Sequence, residues 1–197
     1  LVVFIAAHIG RAKILSEWID PSVQNELNPE EREIELDLYD PNNPNQPPYS
    51  ESYIQRYRIA QKARITKITN EADKMLAKLK TKNDGEVERP FIVHRTMADP
   101  RFLDTQLEPN GRKKNWCFLG DPKTVNGGPV GIARFTTLRA WLSQWSEKSN
   151  ANGIICAQNI KTPLLLLENG ADDSTPPSHT QQIFDAAASP DKIFMQV

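Results

Sequence analysis

The 197 residues carry 24 Lys and Arg against 25 Asp and Glu, a net charge of -1 at pH 7, so no global field draws the chain to nucleic acid or to an anionic membrane surface. Hydrophobic residues make up 39% and charged residues 25%, the balance of a globular chain rather than a disordered or fibrous one. The 15 Pro outnumber the 9 Gly, which favours connections stiffened by proline over flexible linkers.

Cys117 and Cys156 lie far apart without C-x-x-C spacing, so neither a zinc site nor a disulfide framework is indicated. Free thiols favour a reducing, cytoplasmic setting. The longest apolar run, over 1–7, is too short to span a bilayer and lacks the basic start and small-residue cleavage site of a signal peptide.

In chain order, Leu1 to Ala7 is continuously apolar and rich in β-branched residues, which predicts a strand buried within a parallel sheet. Such a strand needs neighbours on both sides, and none precedes it. The final stretch, Lys192 to Val197, also stops inside a strand pattern, so both ends read as cut edges of a larger domain. His8-Ile9-Gly10-Arg11 predicts a turn, and 12–19 a helix ending near Asp20-Pro21. Residues 17–40 are acidic around a lone Arg32, and 40–50 is an extended loop holding Pro41, Pro44, Pro47 and Pro48.

From Ser50, a candidate cap, Ile54, Tyr57, Ile65, Ile68, Ala72, Met75, Leu76 and Leu79 recur at helical spacing, while Lys and Arg fill the other faces. A straight helix over 50–82 would be roughly 50 Å long, so a break within it is expected, with Asn83-Asp84-Gly85 ending it. The basic faces and the acidic 17–40 segment together predict an internal ion-pair surface. A nucleic-acid site would need basic residues without that acidic counterweight. Phe91 to His94 is a short strand candidate, and 98–131 is turn-rich but ordered by Phe102, Trp116 and Phe118. Residues 133–147 have helical spacing, with Phe135, Leu138, Trp141, Leu142 and Trp145 on one face.

The last third changes rhythm. A second buried strand, Leu164 to Leu167, lies between Pro163 and Asn169-Gly170, a helix follows over 177–188, and a third strand over 193–197. This alternation argues for an α/β core of three parallel strands joined by helical crossovers.

In open parallel sheets, ligand and catalytic groups gather at the carboxyl ends of the strands. There the second strand runs into Glu168-Asn169-Gly170-Ala171-Asp172-Asp173-Ser174-Thr175-Pro176-Pro177. The order of strand, acidic turn, proline-opened helix and strand resembles the end of the α/β-hydrolase superfamily, closely over 160–197 and more loosely at the opening strand and at 133–147. The resemblance implies that Asp172 is the triad acid, which orients a histidine by accepting its ring N–H, and that Pro176 opens the following helix. The local alternative is an Asx-turn in which Asp172 and Asp173 cap that helix. Asp173 stands one residue short of the family's offset from the proline.

The chain also departs from the family. It has no G-x-S-x-G nucleophile elbow, Ser143 and Ser146 fall on a helix, and the family histidine would follow the last strand, beyond Val197. His179, in the first turn of a helix, reads as a surface residue, and His94 as an ordinary strand histidine. His8, Gly10 and Arg11 follow the first strand at the same end of the sheet as Asp172, and are candidate substrate contacts. Arg11 could hold a carboxylate or carbonyl oxygen, or else pair with the acids of 17–40.

The resulting expectation is a partial α/β-hydrolase core over 1–15 and 132–197 with a large, mainly helical cap over 16–131. It would act on an ester, amide or related acyl bond of a small-molecule substrate. Serine and histidine would come from the remainder of the core, in the same or a companion chain, so the 197 residues alone would be inert. No metal or organic cofactor, nucleic acid or membrane is implied, and a homo-oligomer stays open. Two rivals also stay open. One is a non-catalytic module of the same fold whose insertion binds a partner or ligand. The other is a haloalkane- or epoxide-type hydrolase with an aspartate nucleophile.

Overall fold

The computed structural model describes residues 1–82 and 84–197; of the expected helix stop, Asn83 lies outside the described residues. The chain is mixed α/β. Strand β1 (Val2–Ile5) is followed by helix α1 (Arg11–Trp18), the long helix α2 (Glu51–Lys82), strand β2 (Pro90–Ile92) and helix α3 (Pro122–Gly127). Strand β3 (Phe135–Thr137), the helical turn α4 (Leu138–Ala140), helix α5 (Gly153–Ala157), strand β4 (Leu164–Glu168), helix α6 (Pro177–Ala186) and strand β5 (Lys192–Gln196) complete it.

The three expected apolar strands form one parallel sheet in the order β1-β4-β5. Val2 pairs with Leu164 on one side of the central strand, and Leu164 pairs with Lys192 on the other. The continuous Leu164–Leu167 run suits that central position, since both faces of β4 are at least half-buried. Ile9, Ala157, Leu164, Leu166, Ile183 and Ala187 form a closed apolar cluster, with α5 and α6 covering that side of the sheet. Across the sheet, Val3, Ile5, Ile193 and Met195 are exposed. The outer strands thus bury one face only, whereas the sequence pattern predicts burial on both.

Helix α2 runs unbroken for 32 residues, about 48 Å, where a break is expected from its length. No Pro or Gly interrupts it, and sharp kinks need such a cause. Instead two apolar clusters hold it along its length. Tyr53 and Tyr57 pack with Leu36, Leu38, Tyr49 and Ala98, while Ile65, Ile68, Ala72 and Leu79 pack with Leu15, Ile19, Val93, Leu138 and Trp141. Its cap is as expected: the Tyr53 N–H donates to Ser50 Oγ at 3.2 Å. The predicted ion-pair surface is also present, with Arg56 bound by Glu33 and Glu35 and Arg64 by Glu26.

The helix expected over 133–147 begins only at Leu138. Phe135, Thr136 and Thr137 instead pair antiparallel with Ile92, Phe91 and Pro90, and two adjacent β-branched threonines favour the strand. Thr137 then caps the turn at the Ala140 N–H. The backbone widens over Trp141–Trp145, where the Ser146 N–H reaches the Trp141 carbonyl, a π-type turn. Its apolar face packs on α1 and α2, with Trp141 fully buried and its indole N–H bonded to Thr69. No helix among the described residues is long and apolar enough to cross a membrane.

Candidate active site

The turn after β4 sits where β1 also ends. Thr175 Oγ1 donates to the Ala6 carbonyl at 3.1 Å, and the Ala6 N–H donates to the Leu167 carbonyl. Asp172 is half-buried. Its Oδ1 accepts the backbone N–H groups of Ser174 at 2.8 Å and Thr175 at 2.9 Å, and its Oδ2 meets only Asn169 Nδ2, at 3.4 Å. The Asx-turn foreseen as the local alternative therefore exists, and it fixes one carboxylate oxygen while leaving the other weakly held. Asp173 accepts from Ser174 Oγ. The turn is clamped from outside: Asn110 Nδ2 donates to the Asp172 carbonyl at 2.8 Å and the Gly111 N–H to the Gly170 carbonyl at 2.7 Å. Asp172 and Asp173 share with Trp18, Arg101, Arg112 and Pro176 a void of about 10 Å³.

The other candidates diverge. His8 is exposed, and its Nδ1 accepts the Gly10 N–H at 3.0 Å. Burial of the ring's inner side and the nearby His179 and Arg11 lower its pKa. Among the described residues Arg11 makes no ion pair with the acidic run: its guanidinium binds Gln144 Oε1 and lies 5.8 Å from the Trp145 ring centroid. Gly10 has φ +137, and a Cβ there would stand 2.4 Å from the Ala151 carbonyl oxygen. Glycine is thus required by backbone conformation and by close approach. Gly10→Ala is expected to cost about 1–3 kcal/mol, measured as a lower urea midpoint at unchanged slope; an unchanged midpoint would show that the 8–11 turn relaxes freely.

His179 is not the surface residue the sequence suggests. It is 1% exposed, with Nε2 at 3.3 Å from Glu17 Oε2. The first turn of α6 faces α1 rather than solvent: the Ser178 N–H donates to Glu108 at 3.2 Å, and His179 meets Glu17. The ring N–H that faces Glu17 leaves Nδ1 without a partner among the described residues. Around this pair lies a buried ionic cluster that sequence reasoning missed. Arg101 donates from Nη2 to Glu17 at 2.5 Å and to Asp99 at 2.6 Å, and from Nη1 to Glu108 at 2.8 Å. Arg58 adds a contact to Asp99 at 3.0 Å. The one available signal was Glu17 itself, an acid between Ile14, Leu15 and Trp18 on the apolar face of α1. Glu17 and Arg58 also wall a cavity of about 650 Å³ between α1, α2 and the 146–152 segment.

Burial by itself would raise the Glu17 carboxyl, but the His179 hydrogen bond and the charges of Arg101, His179 and Arg58 outweigh it and hold the group well below its ordinary 4.5. Asp99 behaves alike: burial raises it, and Arg101 and Arg58 bring it below 3.8. A carboxyl with a depressed folded-state pKa contributes stability that is present above its unfolded value and is lost as pH falls. The urea midpoint is therefore expected to hold steady from pH 7 to 5 and to fall below about pH 4.5, the ordinary value of Glu17. A midpoint that stays level down to pH 3 would refute this linkage.

Among the described residues no group of three or more His, Cys, Asp or Glu stands together to hold a metal ion. Comparison with known proteins gave no matching family model, no matching curated protein and no matching solved structure.

Proposed function

We propose that this chain is part of an α/β-type acyl hydrolase acting on an ester, amide or related bond, with Asp172 as its triad acid. The observation that carries the reading is the half-held Asp172 carboxylate in the turn after the central strand of the parallel β1-β4-β5 sheet. Two backbone N–H groups orient Oδ1, and Oδ2 remains able to accept a histidine ring N–H, the role that fixes an imidazole tautomer and stabilises its cation. The exposed apolar face formed by Val3, Ile5, Ile193 and Met195 is where the rest of the core would dock, in the same or a companion polypeptide, because parallel sheets are covered on both faces. That remainder supplies serine and histidine and completes a substrate pocket larger than the small void beside Asp172. Residues 16–131 serve as the cap of this enzyme, and Asn110 and Gly111 clamp the turn that carries the acid.

The test is labelling with a fluorophosphonate, which reacts with an activated serine, on the protein purified from its source together with whatever is joined to or associated with it. Labelling of a serine in the polypeptide that contains residues 1–197, or in one that co-purifies with it, and loss of that labelling in Asp172→Asn support the assignment. Absence of a labelled serine, or full labelling in the variant, overturns it.

A further inference from the structure

We propose that the hairpin around Cys117–Gly120 rests on an anionic lipid surface. Phe118 and Leu119 enter the boundary between headgroups and acyl chains, and Lys113, Lys114 and Lys123 meet the headgroup charge. The hairpin belongs to the turn-rich segment between α2 and α3, yet its apolar tip is left outside the core. Phe118 is 52% exposed, and Trp116 and Leu119 are each 40% exposed. Single exposed apolar residues are ordinary, but three within four positions of one turn form a patch, and such a patch marks a contact surface.

The tip stands on a rigid frame. The Cys117 N–H donates to the Gly120 carbonyl at 3.0 Å, and the Gly120 N–H returns to the Cys117 carbonyl at 2.7 Å. Phe118 and Leu119 therefore occupy a closed two-residue turn, with Gly120 at φ +112, a conformation that favours glycine. Cys117 is fully buried beside Trp18, Met97, Phe102 and Val125, and the Asn115 N–H donates to the Phe102 carbonyl at 2.8 Å. Phe118 leans on the buried Trp18, with ring centroids 6.0 Å apart. A tip already held in one conformation loses little freedom on binding, which lowers the cost of inserting it.

Charge identifies the occupant. Lys113, Lys114 and Lys123 are exposed, and none is held in an ion pair among the described residues. Asp121 is the one acid over 109–127, and it is engaged by the Thr124 N–H at 2.8 Å and hydroxyl at 2.6 Å. The chain as a whole carries a net charge of -1, so the attraction is local to this patch and short in range. Lys113 Nζ lies 4.1 Å from the Trp116 ring centroid, which sets a cation beside the ring type that favours the membrane interface. Three apolar residues fall well short of the roughly 20–30 per side of a stable protein interface. Nucleic acid would stack on Trp116 but has no use for an aliphatic tip. A lipid surface needs only a small apolar wedge with a basic surround. The contact does not depend on the role of Asp172.

The experiment measures co-sedimentation of the purified protein, with whatever is joined to it, on two kinds of vesicle. One is phosphatidylcholine alone, and the other is equal parts phosphatidylcholine and phosphatidylserine. Binding to the mixed vesicles only is expected, and it should fall as salt rises. Lys113→Ser and Lys114→Ser should each weaken it about fivefold, and Leu119→Ser about tenfold, with melting temperatures unchanged at these exposed positions. Bromine-labelled acyl chains are expected to quench the protein's fluorescence, and Trp116→Phe to lose most of that quenching. Failure to sediment with either vesicle, equal binding to both, or binding indifferent to salt or to these variants would overturn the proposal. Absence of quenching would overturn it too, and would leave a protein or nucleic-acid partner as the user of the lysines.

Discussion

If Asp172 is the triad acid of the proposed acyl hydrolase, Asp172→Asn is expected to lower kcat by about 10⁴-fold while leaving the fold intact, the loss seen where a triad carboxylate is replaced by its amide and the histidine takes the wrong tautomer. The local structure makes this substitution unusually clean. The amide oxygen of Asn can take the place of Oδ1 and still accept the Ser174 and Thr175 N–H groups, so the turn keeps its shape. The amide nitrogen then stands where Oδ2 would receive the ring N–H, and presents a donor to a donor. Asp172→Ala would add a structural penalty of about 1–2 kcal/mol for the lost N–H acceptor, and Asp173→Asn should change kcat little. Comparable losses in the Asp172 and Asp173 variants would remove Asp172 from the acid position, and a tenfold effect or less would reduce it to a turn residue. Thermal unfolding of each variant separates the two roles.

Arg101→Met is expected to destabilise the protein by about 3–5 kcal/mol, the cost of breaking a buried ion pair from one side. In a chain of this size that is a fall in melting temperature of roughly 10 °C. Replacing a whole buried ionic group with apolar residues can be neutral, but removal of one partner strands the others. Here Asp99 is 1% exposed and Glu17 8%. Without the Arg101 guanidinium, Asp99 keeps Arg58 as its cation and the residue-101 backbone N–H, and Glu17 keeps Lys13 and His179. Arg101→Lys should recover part of the loss, since it restores the charge without the planar fork that reaches Glu17, Asp99 and Glu108 together. A loss under 1 kcal/mol in Arg101→Met would mean that solvent or Arg112 replaces the missing cation. The same variant should flatten the acid limb of stability, because the depressed Glu17 and Asp99 carboxyls owe part of their depression to Arg101.

The parallel sheet was legible in the sequence, because strand, helix and apolar run each leave a local periodic signature: Leu164–Leu167 reads as a buried strand and is one, its central place coming only from pairing on both sides, and the α2 spacing and its Ser50 cap were legible too. The sequence also placed Asp172 in the turn after that strand, where hydrogen bonds fix one oxygen. The length of α2 misled, since continuity depends on the clusters it packs against along its course. Residues 135–137 misled for a related reason: the spacing of Phe135 with Leu138 and Trp141 fits a helix, but pairing with Pro90–Ile92, more than 40 residues earlier, claims the first three. His179 and Arg101 were beyond reach altogether. Their burial and partners come from segments separated by 162 and 84 residues from Glu17, and charge pairing over such distances has no period. Local propensity writes elements into a sequence. Which charged side chains those elements enclose is decided only when the chain folds back on itself.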